Sequence, residues 1–217
     1  MTALADLGPL AQLRAGRLGR RLPQLLVGLV VYGISLGLMV RGAVGVAPWD
    51  VLHLGIAEHL GLSLGTVLVG TSFVVLILWI PLREKPGIGT VANALMIGPS
   101  TDATLAVLHQ PDALVWRLVL MFAGVALCAL ATAMYIGAQF GRGPRDGLMT
   151  GLVRRTGLSI RLVRTSLEVA VVVVGLLLGG PLGVGTVVFA LTIGPLTQWM
   201  LPAWTVSLQK SEEPVFA

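Results

Sequence analysis

The chain has 217 residues, 55% hydrophobic and 12% charged, with a net charge of +5 and one cysteine. Soluble domains average about 45–50% apolar and about 25% charged residues, so most of this surface is not built for water. The lone Cys128 excludes a disulfide framework and a cysteine-based metal site, and basic residues scattered in short segments between apolar runs speak for membrane topology and against nucleic acid.

Arg14, Arg17, Arg20 and Arg21 precede an apolar run over about 22–44, too long for the h-region of a signal peptide, so it reads as a first span. A segment of about a dozen residues opening Pro-x-Asp follows (48–60), then two long apolar helices over about 63–82 and 88–109. The same order then returns over about 116–140, 144–156, 159–179 and 184–204. The match is gapless at an offset of 96 positions (146 − 50 = 96). Pro48 and Asp50 recur as Pro144 and Asp146, Gly61-Leu62-Ser63 as Gly157-Leu158-Ser159, and Gly87, Gly89, Thr90 and Val91 as Gly183, Gly185, Thr186 and Val187. Ala94-Leu95-x-Ile97-Gly98-Pro99 recurs as Ala190-Leu191-x-Ile193-Gly194-Pro195.

The expected fold is therefore an all-α polytopic membrane protein of about six transmembrane helices, arranged as two inverted three-helix repeats, each with a short non-spanning Pro-x-Asp helix. The chain divides into a basic N-terminus (1–21), a first repeat (22–115), a second repeat (116–204) and a tail (205–217). Three spans per unit turn the second copy upside down. With both termini cytoplasmic, Arg83, Lys85, Arg142, Arg145, Arg154, Arg155, Arg161, Arg164 and Lys210 lie inside and only Arg41 and Arg117 outside, as the positive-inside rule asks. Residues 1–20 and the tail after Trp204 are expected to be mobile cytoplasmic ends.

Inverted repeats interrupted by Gly and Pro at matching positions point to a transporter site near the bilayer midplane. Gly98-Pro99 and Gly194-Pro195 are those interruptions. Each proline removes a backbone hydrogen bond, either opening a shared cavity or only kinking a packed helix. The polar neighbours Asn93, Ser100, Thr101, Asp102, Thr192, Thr197 and Gln198 extend the candidate substrate or ion site. Asp102 reads either as a functional acid or as an interfacial packing group. Glu168 is the deepest acid; it either carries a coupling proton or pairs with Arg164 one turn away. Pro48 with Asp50 and Pro144 with Asp146 are candidate gates, or caps that set negative charge against a helix N-terminus. Trp49 reads as an interfacial anchor and Gly33/Gly37, Gly61/Gly65 and Gly175/Gly179 as close-packing pairs. His53, His59 and His109 fall in external segments and read as surface groups, not metal ligands.

Taken in order, Pro-Trp-Asp at 48–50, Gly-Leu-Ser at 61–63, Gly-Ile-Gly-Thr at 87–90 and Ile-Gly-Pro-Ser-x-Asp at 97–102 resemble the YczE/YyaS/YitT family of bacterial integral membrane proteins, from about Leu25 to Leu201. The resemblance implies a multi-spanning fold in the bacterial cytoplasmic membrane; the family has no settled activity, so it transfers no functional residues. The second unit departs from the motif, with Arg145 at the place of Trp49 and Gln198 at that of Asp102.

The functional expectation is a secondary transporter, driven by an ion gradient because no phosphate-binding loop couples it to ATP, exporting a small organic compound through a midplane site. The alternative is a membrane scaffold or regulatory partner that transports nothing. An enzyme is not expected, since no metalloprotease His pair or nucleophile and base share one depth. No cofactor is expected. The lipid bilayer is the expected environment, a small molecule or ion the substrate, and the oligomeric state stays open.

Overall fold

The residues that recur at offset 96 are mostly helix punctuation. Ser63 and Ser159 accept the first-turn amides of Thr66 (3.2 Å) and Leu162 (3.3 Å), starting two helices. Thr90 and Thr186 reach back to the amides of Gly87 (3.0 Å) and Gly183 (3.4 Å), starting two more. Pro48 and Pro144 open short helices at their first turn, and Gly61 and Gly157 end them with φ of +63° and +71°, the left-handed conformation that costs a side chain most.

The computed structural model describes residues 8–208. Nine helices lie among the described residues: α1 (Pro9–Arg14), α2 (Leu18–Gly42), α3 (Pro48–Leu60), α4 (Leu64–Leu82), α5 (Ile88–Val107), α6 (Leu114–Gly137), α7 (Pro144–Thr156), α8 (Ile160–Leu177) and α9 (Val184–Trp204). The eight from α2 onward form two sets of four whose starts differ by 96 positions. The long helices α2 and α6 pack on each other at the centre, α5 packs on α2, and α9 on α6. The short helices cross over: α3 lies against α8 of the second set and α7 against α4 of the first.

Glycine decides how close these helices come. A Cβ on Gly33 would stand 2.5 Å from Ser100 Cβ, and one on Gly37 2.6 Å from Thr104 Cγ2, so the α2–α5 contact needs both positions bare. Gly175 presses on the Leu52 amide in the same way, at 2.5 Å. Gly61 and Gly179 have no packing role: with φ of +63° and +81° and little within reach, they serve turns. Outward faces carry exposed apolar side chains, among them Val27, Phe73, Ile77, Phe122, Val173 and Leu191, the surface that a hydrocarbon solvent selects.

Four helices, α2, α4, α6 and α9, are long and apolar enough to cross a membrane, against the six expected. The shortfall lies in α8, which carries Arg161, Arg164 and Glu168, and in α5, diluted by Asn93, Ser100, Thr101 and Asp102. The expectation of a loose N-terminal segment is corrected for residues 8–20. Gln12 is buried, and its Oε1 accepts the Ile88 amide at 3.2 Å. Arg21, read as a topology charge, is fully buried: it donates to the carbonyls of Gln12 (2.7 Å), Ala138 (2.9 Å) and Gln139 (2.8 Å) and lies 4.2 Å over the Phe140 ring. Directly after α9, Val206 is buried and its amide binds the Gly137 carbonyl at 3.0 Å. Lys210 lies outside the described residues.

Candidate functional site

The two sets of helices share their order and most of their packing, and the site lies at the one pair that differs. In the first set α4 and α5 are pressed together. A Cβ on Gly98 would stand 2.8 Å from Val69 Cγ2 and closer still to the Gly65 carbonyl oxygen. Asp102 closes the contact, accepting the Ser63 hydroxyl at 2.6 Å and the Gly65 amide at 2.7 Å, so it caps the start of α4 from the neighbouring helix. In the second set α8 and α9 barely touch. Among the described residues, the only atom within 4 Å of a Cβ on Gly194, the counterpart of Gly98, would be Arg164 Nη1 at 3.8 Å. The sequence difference explains this. Where α4 offers Gly65, Leu68 and Ser72, α8 has Arg161, Arg164 and Glu168, side chains too long and too polar to seal a helix contact.

The space between α8 and α9 is a cavity of about 300 Å³. Its walls are Arg164, Leu167 and Glu168 of α8, Phe189, Ile193, Gly194, Thr197 and Gln198 of α9, Thr132, Tyr135 and Ile136 of α6, Tyr32 of α2, and the first turns of α3 and α7. A smaller cavity of about 50 Å³ lies toward α4 and α5, lined by Leu68, Ser72, Asn93 and Gly98 among others. Tyr32, Tyr135, Arg145 and Asp146 belong to both cavities and form the partition between them. The Tyr135 hydroxyl donates to Asp146 Oδ2 at 2.6 Å, and the two tyrosine rings meet edge to face at 6.2 Å. Arg145 stands 5.1 Å over the Trp49 ring. The starts of α3 and α7 therefore meet at this partition, near the middle of the bundle.

The sequence-predicted site residues separate. Glu168, Gly194 and Gln198 line the large cavity, Asn93 and Gly98 the small one, Pro48 the former and Pro144 the latter. Pro99 and Pro195 do not line either cavity; both are exposed on outward faces, and α5 and α9 run through them unbroken. Ser100 and Thr192 turn their hydroxyls back onto Met96 and Val188 carbonyls of their own helices, and Thr101 binds the Ile97 and Gly33 carbonyls at 2.9 and 3.1 Å, so these three serve helix packing. The buried Thr197 hydroxyl has no hydrogen-bond partner among the described residues. Glu168 pairs with Arg164 at 2.9 Å.

Asp50 and Asp146 both sit in first turns, where negative charge suits the helix dipole, but neither stops there. Asp50 Oδ1 lies 2.9 Å from His53 Nδ1. This corrects the placement of His53 on an external surface: its side chain is 1% exposed, and burial holds its pKa below the usual range despite the carboxylate. The segment 48–60 is not an external one: α3 packs on α8 and α4, and His53 lies within that packing. His59 and His109 are exposed. Trp49, read as an interfacial anchor, faces the inner cavity instead. Tyr32, Tyr135 and the site role of Arg145 were missed by sequence reasoning. The one available signal was the Trp49-to-Arg145 change between repeats, which places two side chains at symmetric positions that touch. No group of three or more His, Cys, Asp or Glu side chains converges on a metal site among the described residues.

The model of a family of unknown function, DUF6198, matches residues 19–202. The chain belongs to this family. It is 41% identical over 177 residues to an uncharacterised protein of Haemophilus influenzae, covering 82% of this chain and 81% of that one. It is also similar to two Bacillus subtilis proteins, the uncharacterised membrane protein YczE (29% over 178 residues, 81% and 82% covered) and the uncharacterised protein YyaS (26% over 180 residues, 81% and 90% covered). No solved structure matches the chain. The resemblance drawn from the four short motifs thus extends over most of the chain, and with its apolar helices the protein is a multi-pass membrane protein.

Proposed function

We propose that this protein is a secondary transporter whose substrate occupies the cavity between α8 and α9. The observation that carries the reading is the unequal packing of equivalent helix pairs, α4 sealed on α5 and α8 parted from α9. The Ser63–Asp102 seal lies at the end of the bundle where α4 begins and α5 ends; the cavity lies toward the end where α8 begins and α6 and α9 end. One side is closed and the other open, which is the arrangement alternating access requires of two repeats around a fixed site.

In this reading the chain crosses six times, as two inverted halves with α3 and α7 as non-spanning helices. The crossed packing of α3 on α8 and α7 on α4 supports it, because a two-fold axis in the membrane plane exchanges those pairs. The two helices that fall short on apolarity have counterparts that do not: α9 answers α5, and α4 answers α8. Arg164 and Glu168 lower the apolarity of α8 while facing the cavity and not lipid, as charges at membrane depth do. Leaving out Arg21, Arg145 and Arg164, which serve the interior, the loops still carry Arg83, Lys85, Arg142, Arg154 and Arg155 on one side against Arg41 and Arg117 on the other, so the termini and the open cavity face the cytoplasm. Glu168 carries a coupling proton and the substrate is a small organic compound moved outward against the gradient.

The test replaces Cys128 by Ser, places single cysteines at Phe189, Thr197 and Leu68, and labels intact cells and inverted vesicles with a membrane-impermeant maleimide. Phe189 and Thr197 label from the cytoplasmic side only and Leu68 from neither. Silence at all three, with a surface cysteine at Arg155 still reactive, replaces the transporter by a packed membrane scaffold.

A further inference from the structure

The charges around the large cavity do not cancel pair by pair. Glu168 is held by Arg164 at 2.9 Å, and Asp146 accepts the Tyr135 hydroxyl at 2.6 Å. Asp50, the next acid on α3, has its Oδ1 2.9 Å from His53 Nδ1. Arg145 forms no ion pair or hydrogen bond among the described residues; its recorded contact is the face of Trp49, 5.1 Å away. A half-buried guanidinium with five donors and no acceptor is matched by an anion, and its planar fork fits a carboxylate edge-on.

The surroundings narrow the anion. The first turns of α3 and α7 meet at Arg145, and Asp50 and Asp146 already answer their dipoles, so the positive charge offered to a ligand there is the guanidinium itself. Phe189, Ile193, Leu167 and the Trp49 ring supply apolar wall. A volume of about 300 Å³ is at the lower end of small-molecule sites. Asp146 and Glu168 line the same cavity, so a second negative charge on the ligand would meet carboxylates there.

We infer that the cavity binds a small organic monocarboxylate, its carboxylate on the Arg145 fork and its apolar body against Trp49 and Phe189. This rests on the cavity being the substrate site and adds the substrate class. The Trp49 ring lies 5.1 Å from the guanidinium carbon, a cation–π distance, and the guanidinium N–H groups can meet a carboxylate with two hydrogen bonds.

The test uses the purified full chain in detergent and calorimetry with acetate, benzoate and phenylacetate, their amides, and phenylmalonate as a dianion. At least one monocarboxylate binds, at least tenfold more tightly than its amide, and phenylmalonate binds more weakly than phenylacetate. Arg145→Gln lowers that affinity tenfold or more, Arg145→Lys by an intermediate factor because the charge stays and the fork is lost, and Arg155→Gln, an exposed arginine, not at all. Size-exclusion profiles confirm that each variant is folded; Trp49→Leu, which removes the ring from the guanidinium, lowers affinity if Arg145→Gln proves unstable. Amides binding as well as acids, an affinity indifferent to Arg145 and Trp49, or no binding by any carboxylate overturns the inference. Flux in proteoliposomes separates it from the transporter reading. A carboxylate that binds through Arg145 but is not moved leaves the anion site and removes transport; movement of a neutral or cationic solute without carboxylate binding does the reverse.

Discussion

Gly98→Ala tests the two-state reading at its narrowest contact. The added Cβ would stand 2.8 Å from Val69 Cγ2 and 3.1 Å from the Gly65 carbonyl carbon, where carbon pairs rest at about 3.5–4.0 Å, so α4 and α5 must separate by several tenths of an ångström to about 1 Å. Overpacking of this kind costs about 1–3 kcal/mol, and it falls only on the state in which the two helices are sealed. A conformational equilibrium between sealed and parted helices then moves by about 5- to 150-fold toward the parted state. The assay is a single cysteine at Leu68, buried behind the seal, in a Cys128→Ser background. Its labelling by an impermeant maleimide added to intact cells rises by about that factor. Gly194→Ala is the internal control: the equivalent Cβ has only Arg164 Nη1 at 3.8 Å, and labelling stays unchanged. If Gly98→Ala is folded and Leu68→Cys labels no faster, or if Gly194→Ala has the same effect, the seal is static packing and the alternating-access argument fails.

Asp102→Asn weakens two charge-assisted hydrogen bonds to the start of α4 in a partly exposed setting; a loss of about 1 kcal/mol is expected, with faster Leu68→Cys labelling and a lower melting temperature. Glu168→Gln breaks a partly exposed ion pair, so stability changes by less than about 1 kcal/mol in thermal unfolding, while the pH dependence of proteoliposome flux is lost if this carboxyl carries the coupled proton. Arg21→Met removes the donor of four carbonyls, those of Gln12, Gly16, Ala138 and Gln139, at the junction of α1, α2 and the end of α6; a loss of at least about 3 kcal/mol is expected, read as a drop in membrane-inserted protein or melting temperature, and an unchanged value would mean that water reaches those carbonyls.

Much of the fold was legible because a repeated sequence repeats its helix boundaries. The Pro-x-Asp motif and its repeat put the two short helices at 48–60 and 144–156, where α3 and α7 lie, since proline starts and glycine ends are local signals. The site was less legible. Asp102 was found as an unusual acid but not as the cap of α4, because its partners Ser63 and Gly65 are about forty residues earlier. The prolines of the Gly-Pro pairs misdirected the reading: local chemistry says they disturb a helix, not which face they disturb, and both face outward.

Membrane character, the duplicated helix order and the family relationship follow from the sequence by itself, because each rests on composition, local punctuation or a constant offset. Which repeat is sealed and which parted, that His53 is buried, and that Arg145 stands without a carboxylate over Trp49 follow only from the tertiary structure. Those features depend on pairs of side chains from different helices, brought together by the crossing of α3 and α7 between the halves, and no local pattern carries that distance.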